Sequence, residues 1–272
     1  MDDLLDALRL ERRGDLLVGR VPGADTPVFG GVTLAMCVAA ACANAPEPAR
    51  LHSIHGHFLR PTRGGEPIEF AAQVVKAGRN FTLNSITASQ RDRPVAVMSC
   101  SFTADLPAPT YDVSGLPTGV PLPDEVPEPA AGPDDGQEEE GPWEQRWLGP
   151  SELRSDGTRL ATHRHWFRWP HPIGDDPTVH AALMGYATDW TGVGGRPLDL
   201  ESDHLGMISL DHSAWFHRPA RVDCWLLQDV EGLVNFGGRG TLRGIIRDTG
   251  GRIVASMAQE MVLQPPGTTE AS

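Results

Sequence analysis

Two distant stretches of the sequence end in the same way. Residues 209–219 read SLDHSAWFHRP, and residues 53–61 read SIHGHFLRP. Both are typical of a β-strand, and both close on Phe-x-Arg-Pro, where the proline ends strand pairing. The later stretch carries Asp211, whereas the earlier one contains no acidic residue. This similarity indicates that one structural unit occurs twice in the chain, with a carboxylate in only one of the two copies.

The two halves match at further positions. Phe58 and Phe216 are 158 residues apart, and Arg91-Asp92 lies 156 residues before Arg247-Asp248. Each Arg-Asp pair precedes the last strand-like run of its half. A repeat with such a long period predicts a fused duplication and not a solenoid. Two related halves in one chain usually reproduce the two-fold interface of a homodimer.

Each half is predicted to supply a helix and antiparallel strands, which defines an α+β unit. The small apolar residues 32–45 predict a buried helix that ends at Pro46 and Pro48. In the second half, Asp176 and Pro177 predict the N-cap and first position of a helix over 176–187. A short helix is predicted over 1–14. The predicted strands are residues 16–21, 51–60, 68–77, 80–91, 95–104, 162–169, 205–217, 222–232, 234–247 and 252–263.

The composition changes between the halves. Residues 107–143 are rich in proline and glycine, and residues 124–144 contain many acids, including Glu138-Glu139-Glu140, and no base. This pattern predicts a solvated, mobile linker. The chain is therefore predicted to consist of an N-terminal repeat over 1–107, an acidic linker over 108–145 and a C-terminal repeat over 146–272.

Charge and composition exclude several classes of partner. The chain has 272 residues and a net charge of −13, which argues against binding to nucleic acid or to an anionic membrane. No apolar run is long enough to span a bilayer, and the acidic start lacks the layout of a signal peptide. Four cysteines without paired spacing predict reduced core thiols. We therefore expect a cytoplasmic protein.

Five stretches together resemble the acyl-CoA thioesterase II family. The resemblance covers most of the chain except the linker, and its longest string is highly specific. It implies a double-hotdog fold, in which two repeats, each a helix wrapped by an antiparallel sheet, are fused in one chain. It also implies hydrolysis of acyl-CoA in lipid metabolism without a metal or organic cofactor, and association into a dimer or tetramer. The stretches are VFGG (28–31), HSIH (52–55), FLRP (58–61), LDHSAWFHRP (210–219) and AQE (258–260).

The resemblance implies that Asp211 and Gln259 activate the attacking water. Asp211 matches the family's aspartate, which orients or deprotonates that water. On the residues alone, a strand-end aspartate that caps a neighbouring backbone group is the preferred interpretation. Gln259 lies on an otherwise apolar strand, where a buried amide needs a hydrogen-bond partner. Its counterpart in the first repeat is Phe102, so both candidate residues depart from the internal symmetry.

One family position differs in this sequence. The hydroxyl residue that completes the family's water-binding trio is expected one or two places after Glu231, where the sequence has Gly232 and Leu233. Asn235 lies nearby and is a candidate for substrate binding, although it is out of register. This difference leaves a second hypothesis open, namely an acyl-CoA-binding hotdog protein with weak or no hydrolase activity. A hotdog hydratase is a third hypothesis, and the hydratase-like spacing of Asp199 and His204 is interpreted as chance.

The substrate-binding candidates come from the first half. Gly30 and Gly31 precede the apolar helix and allow close approach of its free N–H groups to a thioester carbonyl, as an oxyanion site requires. A simple turn into the helix explains the same glycines. His57 is placed by the resemblance on the pocket wall. The candidate arginines for the CoA phosphates are Arg60, Arg79, Arg218 and Arg239.

No metal site is predicted. His55 alternates with His57 and His163 with His165, so each pair lies on one side of a strand. Zinc sites need three or four ligands, and no third ligand stands at a suitable spacing. Surface or core histidines are the preferred interpretation.

Overall fold

The structure is a computed structural model that describes residues 2–45, 49–126, 142–148, 162–190 and 206–264. The chain divides into two compact units. The first unit comprises Met1–Tyr111, Ile173–Trp190 and Asp211–Ala220, and the second comprises Asp112–Pro172, Thr191–Leu210 and Arg221–Ser272. Both units are discontinuous in sequence, whereas the predicted repeats are continuous. The repeat boundaries stay a prediction.

The described residues form three α-helices and thirteen β-strands. The helices are α1 (Asp2–Ala7), α2 (Gly30–Cys42) and α3 (Pro177–Thr188). The strands are β1 (Glu11–Arg13), β2 (Leu16–Arg20), β3 (Arg50–Phe58), β4 (Pro67–Ala77), β5 (Phe81–Gln90), β6 (Arg93–Thr103), β7 (Glu144–Trp147), β8 (Thr162–Arg168), β9 (Gly206–Ser209), β10 (Asp211–Phe216), β11 (Leu226–Phe236), β12 (Arg239–Asp248) and β13 (Ile253–Gln264).

Helix α2 is the buried helix of the first unit. Its small apolar residues leave no polar face, and residues 31–41 are buried without interruption. The helix packs against α3 and against β3, β4, β5 and β6. It begins and ends earlier than predicted. At its end, Ala45 stands before Pro46, and a residue that precedes a proline avoids helical dihedrals.

Helix α3 confirms the predicted cap. The Asp176 carboxylate accepts a hydrogen bond of 2.8 Å from the Thr178 N–H, and Pro177 occupies the first position. The helix ends at Thr188, one residue beyond the prediction. Asp189 follows as the C-cap and lies in the same unit.

The sheet of the first unit is antiparallel throughout, in the order β1-β2-β4-β5-β6-β3-β10. The alternation along β3 and β10 buries Ile54 and Ala214, which are directly opposite each other. The predicted helix over 1–14 is wrong in its second half, because residues 11–13 form β1.

The second unit contains an antiparallel sheet in the order β7-β8-β11-β12-β13-β9. Part of the predicted linker packs on it. Val126 joins the buried side chains of Trp166 and Leu227, and the Trp166 indole N–H donates to the Pro121 carbonyl at 2.9 Å. The expectation of a solvated linker is therefore wrong for this part, because its apolar side chains bury against the sheet. Glu138–Glu140 lie outside the described residues.

Two predicted strand boundaries are also wrong. The stretch 205–217 forms two strands that are interrupted at Leu210, whose N–H donates to the Glu260 carbonyl at 2.9 Å. The chain passes from the second unit to the first at this interruption. Conversely, no strand ends at Gly232, since β11 continues to Phe236 and turns at Gly237 and Gly238, which have φ values of 61° and 75°.

The cysteines are free thiols, and three of them lie in the first unit. Burial raises the pKa of Cys37 to about 12 and the pKa of Cys100 well above its usual value. Cys224 is exposed, so the prediction of a core thiol is wrong there. Among the described residues, no helix is long and apolar enough to cross a membrane.

Candidate active site

Asp211 opens strand β10 and lies directly opposite His57 of β3. Side chains at such positions have Cβ atoms about 4.5–5.5 Å apart. The register therefore brings together two of the predicted site residues within the first unit. Asp211 is half-buried, which suits a carboxylate that must reach a substrate and still lose water from one side.

A histidine and a tryptophan flank this pair. His55 lies opposite Ser213, two residues from the Asp211–His57 pair on each strand. Its ring meets the Trp215 ring edge to face at 5.0 Å between centroids. This aromatic contact stabilises the pairing of β3 and β10 beside Asp211.

The environment of His55 gives a pH-dependent prediction. Desolvation by burial lowers the pKa of its imidazole below the usual value of 6.5. The unfolded chain therefore binds this proton at a higher pH than the folded chain, so the free energy of unfolding falls as the pH drops below 6.5. Thermal unfolding between pH 7.5 and pH 5 is expected to show this loss, and His55→Gln is expected to reduce its slope. An unchanged slope in the variant would contradict the assignment.

A side chain at Gly30 or Gly31 would clash with neighbouring atoms, some of which belong to the end of α3. A Cβ on Gly30 would lie 2.6 Å from the Asp189 Oδ2 atom. A Cβ on Gly31 would lie 2.3 Å from the Phe29 ring and 2.7 Å from the Tyr186 carbonyl oxygen. The close backbone approach expected from these glycines is therefore an approach to α3. Their role as oxyanion donors stays a prediction.

A buried polar cluster lies beside Gly30 and was missed by sequence reasoning. It consists of Thr188 and Asp189 at the end of α3 and His212 of β10, which are 0%, 2% and 0% exposed. The only sequence signal was the position of His212 directly after Asp211. Nothing in the pattern associates His212 with the end of a helix more than twenty residues earlier.

Gln259 belongs to the second unit. It is 2% exposed and lies on β13 opposite Leu242 of β12. Met257 and Met261 are equally buried on the same face of the strand. The amide is therefore buried on an apolar face, as the sequence indicated, while its catalytic role stays a prediction.

The position expected to carry a hydroxyl lies at a β-bulge. Gly232 pairs with Leu242 and Val234 pairs with Thr241, so Leu233 is the extra residue of β11. Its side chain is 50% exposed. Asn235 is also exposed and lies opposite Gly240, so both candidates occupy the solvated end of the β11–β12 hairpin.

Two of the candidate arginines form polar contacts with other residues of the protein. Arg60 donates to the Pro94 carbonyl at 2.7 Å, and Arg239 pairs with Glu260 at 3.1 Å. Within the described ranges, no cluster of three or more ligand-type side chains is arranged to hold a metal. Asp199 and His204 lie outside these ranges, as does the side chain of His163.

Known protein families match the chain in two segments. A model of the acyl-CoA thioesterase N-terminal domain matches residues 18–103, and a model of the C-terminal domain matches residues 122–263. The chain belongs to the acyl-CoA thioesterase II family. Membership makes the protein a thioester hydrolase, as the resemblance of the strand around Asp211 indicated.

Relatives match this thioesterase over nearly its whole length. This chain is 27% identical to acyl-CoA thioesterase 2 of Haemophilus influenzae, and the alignment covers 97% of this chain and 98% of the relative. The crystal structure of the acyl-CoA thioesterase II TesB2 from Mycobacterium marinum has a TM-score of 0.81 at 27% identity, covering 97% of this chain and 99% of that one.

A third comparison concerns the fold alone. A protein of unknown function with a hot dog fold from Alicyclobacillus acidocaldarius has a TM-score of 0.79 at 18% identity, covering 97% of this chain and 98% of the other. Together with the Mycobacterium structure, it confirms the α+β double-hotdog fold of the thioesterase.

Proposed function

We propose that this thioesterase hydrolyses acyl-CoA to a free carboxylic acid and CoA, with a water activated by Asp211 and Gln259. The observation that carries the proposal is the position of Asp211, a half-buried carboxylate at the start of β10 in a chain of the acyl-CoA thioesterase II family. The internal duplication adds support, because the first copy of this strand has no acid.

The proposed chemistry needs no cofactor. The Asp211 carboxylate takes a proton from water, and the water oxygen attacks the thioester carbonyl carbon. The Gln259 amide holds this water by accepting from its O–H or donating to its oxygen. The tetrahedral intermediate then collapses, the carbon–sulfur bond breaks, and the CoA sulfur leaves. Because a thiol is far more acidic than water, with a pKa of about 8.5 for free cysteine, the sulfur leaves readily and takes the proton from Asp211 or from solvent.

The start of α2 is the proposed oxyanion site. Phe29 occupies its N-cap and has no side-chain acceptor for the first N–H groups of the helix. In α3 the Asp176 carboxylate fills that role. The backbone of Gly30 and Gly31 is therefore the better donor to a negative carbonyl oxygen, which helix N-termini stabilise. His57 and Asn235 complete the proposed substrate contacts.

The remaining parts of the proposal rest on the family resemblance. They are a cytoplasmic location, a role in lipid metabolism and association into a dimer or tetramer.

The test is release of CoA from a series of acyl-CoAs of increasing chain length, followed by thiol detection. We expect release above background for at least one chain length. Binding without release throughout the series would favour an acyl-CoA-binding protein, a hypothesis supported by Gly232 and Leu233 at the expected hydroxyl position. Addition of water to an enoyl-CoA without release of CoA would favour a hydratase.

A substitution at the bulge tests the role of the missing hydroxyl. Leu233→Thr is expected to raise kcat about 3- to 10-fold, since one hydrogen bond to the water contributes about 0.5–1.5 kcal/mol. Leu233→Val is the matched control, because valine has the branched shape of threonine but no hydroxyl. Steady-state rates that rise equally in both variants, or in neither, would show that no hydroxyl at this position contributes to the reaction.

A further inference from the structure

His212 links two parts of the first unit. It is the second residue of β10, directly after Asp211, and its side chain is fully buried. Its Nδ1 atom lies 3.7 Å from the Asp189 Oδ1 atom, and the two side chains are 0% and 1% exposed. Its Nε2 atom lies 2.9 Å from the Thr188 hydroxyl oxygen. The ring is therefore enclosed by the two residues that end α3.

The hydroxyl of Thr188 indicates which ring nitrogen of His212 carries a hydrogen. Thr188 donates to the Gly185 carbonyl oxygen at 2.7 Å. A hydroxyl has a single proton, so Thr188 accepts from His212, and the Nε2 atom carries a hydrogen. The Nδ1 atom then faces the Asp189 carboxylate.

The other oxygen of the same carboxylate lies against α2. The Asp189 Oδ2 atom lies 2.6 Å from the position that a Cβ on Gly30 would have, so the carboxylate packs directly against this glycine. Gly30 is the first residue of α2. The Tyr186 carbonyl of α3 fills the equivalent space at Gly31. One side chain thus contacts both the helix start and the histidine next to Asp211.

We propose that Asp189 is a positioning residue for thioester hydrolysis, which ties β10 to the start of α2 through His212 and Gly30. The inference rests on the proposed function of Asp211 and of the α2 N-terminus. Asp189 acts through His212 to hold the backbone of Asp211 opposite His57, and it contacts Gly30 from the side of α3. Asp189 and His212 are both almost fully buried, so their proposed effect on the substrate passes through Asp211 and the start of α2.

The principal test is Asp189→Asn, which keeps the shape of the side chain and removes its charge. We expect kcat for CoA release to fall about 10- to 100-fold, because small displacements of reacting groups have effects of that order. KM is expected to change less than about twofold, since substrate-contacting groups are retained. Asp176→Asn is the matched control, because asparagine is as good an N-cap as aspartate, and its kcat is expected to equal that of the wild type.

Two measurements separate positioning from a general structural role. In ¹⁵N spectra of histidine-labelled protein, His212 is expected to show a protonated Nε2 atom, and Asp189→Asn is expected to shift its Nδ1 signal. A double-mutant cycle combines Asp189→Asn with His212→Gln. The kcat of the double variant is expected to equal that of the less active single variant, because the two side chains act as one unit. If Asp189→Asn does not fold, Thr188→Val takes its place with the same expected split between kcat and KM.

The outcomes distinguish this inference from the function on which it rests. A wild-type protein that releases no CoA would contradict the proposed function. An active wild type with an unchanged Asp189→Asn variant would contradict the positioning role alone. The positioning role would also be contradicted if the fold-losses in kcat of the two single variants multiplied in the double variant. An unchanged His212 spectrum in Asp189→Asn would contradict it as well.

Discussion

Asp211→Asn is expected to lower kcat for acyl-CoA hydrolysis by about 10²- to 10⁴-fold, which is the usual contribution of a general base. The amide keeps the size of the side chain and its place opposite His57, but it cannot take a proton from water. KM is expected to stay within about twofold of the wild-type value, because the substitution removes an interaction of the transition state. The measurement is steady-state release of CoA from the best substrate of the chain-length series.

A turn aspartate provides the control for this substitution. Asp92 lies in the turn between β5 and β6 with a φ of 58°, a left-handed conformation that asparagine tolerates well. Asp92→Asn is therefore expected to leave kcat and stability unchanged. If Asp211 merely caps backbone groups, Asp211→Asn would leave kcat near that of the wild type, because an asparagine side chain also accepts from a backbone N–H. That result would remove Asp211 from the catalytic role.

Gly56→Ala is expected to destabilise the first unit strongly. A Cβ at this position would lie 2.1 Å from the Val97 carbonyl oxygen and 2.7 Å from the Met98 Cα atom, and both are backbone atoms that cannot rotate away. Overpacking of this kind costs about 1–3 kcal/mol and occasionally more. In a chain of this length, each 1 kcal/mol lowers the melting temperature by about 2–4 °C.

The effect of Gly56→Ala is also expected to reach the candidate site. Gly56 pairs with His212 on β10 and with Met98 on β6, so a shift of its backbone moves the strand that carries Asp211. Thermal unfolding and CoA release measure the two consequences in the same preparation. Gly250→Ala is the control, because its Cβ would meet only the Asp248 side chain at 3.3 Å and the residue is exposed. Equal melting temperatures for both variants would contradict the predicted clash.

The start and end of α3 illustrate what local pattern can and cannot predict. Asp176 accepts from the N–H two residues later, and Pro177 has no N–H and a φ that suits the first helical position, so both roles are evident from the sequence and are confirmed. Asp189 acts on His212 and Gly30, which are distant in the chain. No local rule relates those three positions, and their contact depends on the packing of α3 against α2.

The interruption at Leu210 shows a similar difference. Residues 205–217 have uniform strand character, and the pattern therefore predicted one strand. The structure divides it, because Gly206–Ser209 pairs with β13 while Asp211–Phe216 pairs with β3. Strand propensity reports how a segment suits a sheet and not which partner it meets. The first residue after the interruption is Asp211.

By itself, the sequence determined the duplication, the helix and strand types, the family and the residues proposed for catalysis. These features reside in local patterns, namely periodicity, caps and the strings around Asp211 and Gln259. Only the tertiary structure decided that Gly30 and Gly31 pack against α3, that Pro121 and Val126 contact a sheet, and that Asp189 and His212 form a buried pair next to Asp211. The physical reason is that burial and close contact depend on which segments meet in three dimensions, and the sequence pattern of each segment contains no information about its distant partner.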